Sequence, residues 1–139
     1  MNYDVVDKAE QTMRSLQKED RRGNLSIPLT TSQIRKFLTT VNLLKNKVDI
    51  YKLSYYREKQ QNPTAMSEDL AVELKFLRVN LLYQASREQK TTNIKDFIEK
   101  ADLEKIITSI GTDINAFYKF CKYAEALVAF HKFYGGVDK

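Results

Sequence analysis

Between Thr30 and Lys59 the apolar residues Ile34, Phe37, Leu38, Val41, Leu44, Val48, Tyr51 and Tyr55 recur at spacings of three and four. Only an α-helix gathers such a series onto one face. At about 1.5 Å per residue this helix spans about 45 Å, so much of a 139-residue chain must pack along it. Its start is marked by Thr30 and Gln33, whose spacing fits a capping box. Chain length allows one core, not two. Four glycines and two prolines provide few turns, which argues against sandwiches and barrels built from many hairpins.

The other segments follow the same period. Residues 4–18 predict a weak amphipathic helix with Asp4 as cap and Val5, Val6, Ala9, Met13 and Leu16 as apolar members. Turn-like residues and Pro28 then separate it from the long helix. Residues 1–29 therefore read as a peripheral N-terminal extension, and residues 30–139 as the helical bundle domain. Ser67 is positioned to cap a helix carrying Leu70, Leu74, Leu77 and Leu81, with Val72, Phe76, Val79 and Leu82 on a second face. Asn93 is the expected cap of a segment from Ile94 to Ile110, kinked around Ala101 and Asp102 and ended by Gly111. Thr112 or Asp113 starts a final helix that is apolar on nearly all sides: Ile114, Phe117, Phe120, Cys121, Ala124, Leu127, Val128, Phe130 and Phe133. No strand pattern stands out. The expected fold is all-α, a compact bundle of about five helices with a long first core helix.

The residues exclude most chemistry. One histidine, His131, and one cysteine, Cys121, cannot furnish a zinc set. A lone cysteine on the most apolar helix reads as a small core hydrophobe, and a single cysteine forms no intrachain disulfide, which suits a reducing, cytoplasmic compartment. His131 lacks an evident partner to orient it as a base and reads as structural. There is no glycine-rich phosphate loop. No cofactor or metal is expected. No apolar run reaches membrane-spanning length, and the acidic opening MNYDVVDKAEQ does not read as a secretory signal.

What remains is positive charge beside aromatic rings. The net charge is +5. Residues 1–20 hold three basic and five acidic side chains, whereas residues 31–60 hold seven basic and two acidic ones, so the excess lies in the body of the domain. Arg35, Lys36, Arg78, Arg87, Lys119, Lys122, Lys132 and Tyr134 form a candidate nucleic-acid-binding set, because cations neutralise phosphates and aromatic faces stack on bases or sugars. Lysines and arginines also cover the solvent face of any helix, and rings at helical spacing usually pack the core.

Three segments carry a more specific signal: TTSQIRKFL (30–38), LRVNLLYQASRE (77–88) and FCKYAEALVAFHKFYGG (120–136). In this order they resemble the small subunit of type III-A CRISPR effector complexes, the Csm family. The resemblance implies a non-catalytic helical subunit. Several copies would stack as a filament beside the backbone subunits and help line the channel where guide RNA and target RNA pair. Cleavage of target would belong to the backbone subunits, and DNA cleavage and cyclic oligoadenylate synthesis to the large subunit. Expected partners are guide and target RNA, backbone and large subunits, and other copies of itself, with no membrane. In this reading Glu125 pairs with a neighbouring lysine or arginine and positions it. The alternatives are a helical adaptor that binds only protein, a small enzyme using His131 or Cys121, and, last, a DNA-binding helical regulator.

Overall fold

The computed structural model describes residues 2–137. Six helices, α1 (Val5–Leu16), α2 (Thr31–Lys59), α3 (Glu68–Arg87), α4 (Asn93–Lys100), α5 (Leu103–Ile110) and α6 (Ile114–Phe133), dominate the described residues. Short strands β1 (Lys18–Glu19), β2 (Leu25–Thr30) and β3 (Gly136–Val137) form a small sheet in the order β1-β2-β3. The predominantly helical fold agrees with the sequence reading.

Local signals set most boundaries. Thr30 accepts from the Gln33 amide at 3.1 Å while the Gln33 side chain accepts from the Thr30 amide at 2.9 Å, which completes the expected capping box of α2. Ser67 caps α3 through Leu70, and Asp113 caps α6 through Ala116. The segment 94–110 divides where the kink was expected. Asp102 takes a left-handed φ of 53°, separating α4 from α5. Thr92, not Asn93, precedes α4, and the Asn93 side chain instead donates to the Pro28 carbonyl.

α6 is the axis of the core. It packs against α1, α2 and α5, and Phe117, Phe120, Tyr123, Ala124 and Leu127 are fully enclosed. Phe37 of α2 meets Phe97 of α4 and Phe120 of α6 edge-on, with ring centroids 5.4 and 6.3 Å apart. Phe133, expected among the apolar members of this helix, is instead 78% exposed at its end.

Residues 2–29 complete this core, in contrast to the peripheral extension that the sequence suggests. Ala9, Met13 and Leu16 of α1 bury against the bundle. Thr12 is buried too, its hydroxyl bonded to the Lys8 carbonyl and 3.4 Å from the Tyr123 hydroxyl. Small and flexible apolar residues in a charge-rich segment make a faint stripe, and only the mating face of α6 gives them a reason to bury. The strand LSIPLT was likewise hidden by Pro28, which reads as a stop. Ile27 and Leu29 alternate inward on β2, and Pro28 falls where the pairing with β3 changes register, a position that tolerates proline.

The C-terminal Gly135-Gly136 pair closes the molecule. Gly135 has φ +93°, which favours glycine, and its carbonyl accepts from the Ile27 amide at 3.0 Å. A Cβ on Gly136 would meet the His131 ring at 2.0 Å. That ring is 1% exposed and its Nε2 lies 2.7 Å from the Leu29 carbonyl oxygen. Gly136→Ala should therefore displace His131 and break its bond to β2, with a loss of about 1–3 kcal/mol in stability. Chemical denaturation checks this; an unchanged midpoint would contradict the arrangement.

Candidate nucleic-acid interface

The candidate cations stand on several faces. α3 packs on α2, α4 and α5, whereas α6 packs on α1, α2 and α5, and their nine-residue separation puts Arg78 and Arg87 about half a turn apart around α3. Arg35 and Lys36 sit at the start of α2 and diverge by about 100° around the helix.

Their electrostatic environments differ as much as their positions. Arg78 is held by Glu104 of α5, with Nε and Nη2 at 3.1 and 2.7 Å from one carboxylate oxygen. Its charge is already compensated. Lys122 is exposed and lies 3.7 Å from Glu125, the pairing expected for that acid. Lys132 is exposed on the same helix. Lys119 points its ammonium over the Tyr3 ring at 4.1 Å. Arg87 lies over the Tyr83 ring at 5.6 Å. Among the described residues Arg35, Lys36 and Arg87 are exposed and form no ion pair. Such uncompensated cations attract a phosphate most strongly.

Tyr134 has several internal ties. Its hydroxyl donates to Glu10 of α1, its ring packs with Phe130 and Phe133, and Arg14 lies 5.9 Å from its centroid. These contacts fasten the end of α6 to α1.

The sequence reading missed a cluster where α2 meets α6. Lys45 and Lys52 place their ammonium groups 5.7 and 4.7 Å from the Tyr118 ring centroid, and the Tyr118 hydroxyl donates to Asp49. Burial, then the bond to Asp49, pushes the phenol well above its ordinary range, so it stays a neutral donor. The signal was present: positions 45, 49 and 52 share one helical face. It was masked because Tyr118 lies 66 residues or more along the chain from them.

The chemistry-bearing singletons serve the core. His131 spans from α6 to β2 as described. Cys121 is 3% exposed. Burial is the largest influence on its thiol, pushing it from 9.0 up to about 12, far from the range of a reactive thiolate. Among the described residues no three His, Cys, Asp or Glu side chains are arranged to hold a metal, and no helix is long and apolar enough to cross a membrane.

Comparison with known proteins places this architecture. The family model described as Csm2 Type III-A matches residues 3–137. A relative from Streptococcus thermophilus, named CRISPR system Cms protein Csm2, is 41% identical over 137 residues, covering 99% of this chain and 94% of its own. Proteins of the same name from Enterococcus italicus and Mycobacterium tuberculosis are 34% identical over 122 residues and 30% identical over 136. These alignments cover 84% and 98% of this chain, and 78% and 95% of the relatives.

The thiol gives a pH test. Cys121 and Tyr3 both have folded values raised to about 12, burial being the main cause. Above pH 9 the unfolded chain loses these protons first and gains stability relative to the fold. Stability should thus hold below pH 9 and decline between pH 9 and 12. At pH 8 an aromatic disulfide reagent should leave Cys121 untouched until denaturant is added; prompt reaction in the native state would contradict its burial.

Proposed function

The chain belongs to the Csm2 type III-A family, and from that membership we propose that it is the small, non-catalytic subunit of a type III-A CRISPR effector. It binds the sugar–phosphate backbone of guide and target RNA without reading sequence. The observation that carries this reading is the set of exposed cations without acidic partners among the described residues, Arg35, Lys36 and Arg87. Lys119, Lys122 and Lys132 add charge on α6, with Lys45 and Lys52 beside Tyr118. Phosphate contacts of this kind fix position and carry no sequence information, as a subunit that accepts any guide requires. The burial of His131 and Cys121 supports a role without catalysis.

Assembly has its own surface. Val72, Phe76, Val79 and Tyr83 recur at helical spacing on the outer side of α3, and Phe76 is 63% exposed. Leu43, Ile50 and Leu53 are exposed on α2. Apolar faces of this kind favour protein contacts. They suit stacking of copies into a filament and docking on the backbone and large subunits. They also favour a second reading, a helical adaptor that contacts protein alone.

Salt separates the two. RNA binding through three uncompensated cations should fall with salt at a log–log slope of about −2, from about 0.7 per phosphate on a single strand. A slope near zero would favour the adaptor. Within the set, Arg87→Gln should weaken RNA affinity several-fold, and Arg78→Gln less, because Glu104 already neutralises Arg78. Equal losses, read by fluorescence anisotropy with circular dichroism as the folding control, would remove the distinction between paired and unpaired cations.

A further inference from the structure

α2 and α3 do not close on each other along their whole length. Between the first three turns of α2 and the second half of α3, with α4 at one end, lies a half-open groove of about 270 Å³. Its floor includes Phe37, Leu77 and Phe97, which are buried. Its rim carries Lys36 on one side and the amides Asn80 and Gln84 on the other. Asn80 and Gln84 are four residues apart, one turn along the same face of α3. Among the described residues neither amide nor the Lys36 ammonium has a side-chain partner. No acidic side chain among the described residues lines the groove.

We propose that this groove takes one unpaired nucleobase of a bound single-stranded RNA, with its phosphate at Lys36. The inference rests on the RNA-binding reading above and gives it a specific seat. An apolar floor accepts the face of a planar ring, and paired amides meet its polar edge. The volume is just under the roughly 300–1,000 Å³ of sites for drug-sized ligands, so it holds one base rather than a run of them. Each amide exchanges donor for acceptor by a half-turn, so the seat tolerates any base. An apolar side chain from a partner protein is the poorer occupant, because it would cover Asn80 and Gln84 and leave their hydrogen bonds unmade.

The test uses the full-length chain, isotope-labelled on nitrogen, with two ten-nucleotide probes: oligouridylate and the same backbone with abasic ribose throughout. Oligouridylate should shift the side-chain amide signals of Asn80 and Gln84 and bind about tenfold tighter than the abasic strand. The double variant Asn80→Leu/Gln84→Leu should erase that advantage while leaving abasic affinity unchanged. A second variant, Thr40→Phe, fills the groove from an α2 position and should do the same. Equal binding of both probes by the native chain would overturn the base seat and leave the backbone reading standing. Binding of neither, at low salt and millimolar probe, would overturn both. Variants that keep the base advantage but fail to join the other protein subunits would identify the groove as a protein anchor and also overturn the proposal.

Discussion

The enclosure of α6 is the constraint on which the rest of the molecule depends. A helix apolar on most of its circumference cannot stand at a surface, so α1, α2 and α5 must pack around it. The polar groups that this burial traps are each given a partner. The Tyr123 hydroxyl donates to the Ala101 carbonyl at 2.9 Å, at the break between α4 and α5, and His131 reaches the Leu29 carbonyl of β2. No described buried side-chain nitrogen or oxygen lacks a hydrogen bond. These bonds fix where α6 sits along its neighbours, which burial of apolar area alone does not do.

This arrangement assigns the molecule's reactive residue types to structure. Cys121 and His131, the only thiol and the only imidazole, are consumed by the central helix. The outward side chains are of another kind: cations on α2, α3 and α6, and apolar rings on the outer side of α3. The C-terminal run FCKYAEALVAFHKFYGG (120–136) is explained in the same terms. Its Gly135-Gly136 pair admits the His131 ring and the return of the chain to β2.

Elements with strong local patterns were legible in the sequence. The long stripe of α2, its capping box, the leucine ladder of α3 and the break at Asp102 each depend on residues within a turn or two. The misses depend on distant partners. α1 gains its burial from α6, β2 its pairing from strands at either side and its burial from α1, α2 and α4, and Phe133 is exposed at the end of α6. The candidate interface divides likewise. Which residues are basic was readable. Whether each is paired was not: Glu104 lies 26 residues from Arg78, and Tyr118 lies 66 from Lys52.

The function proposed for this chain places it inside an RNA-guided assembly, acting through its exposed charge. Its most direct measurement is isolation of the tagged chain from its native host, with mass spectrometry of the proteins and sequencing of the RNA. The account predicts repeat-derived guide RNAs together with larger CRISPR subunits. Recovery of a well-folded helical protein with neither would contradict it.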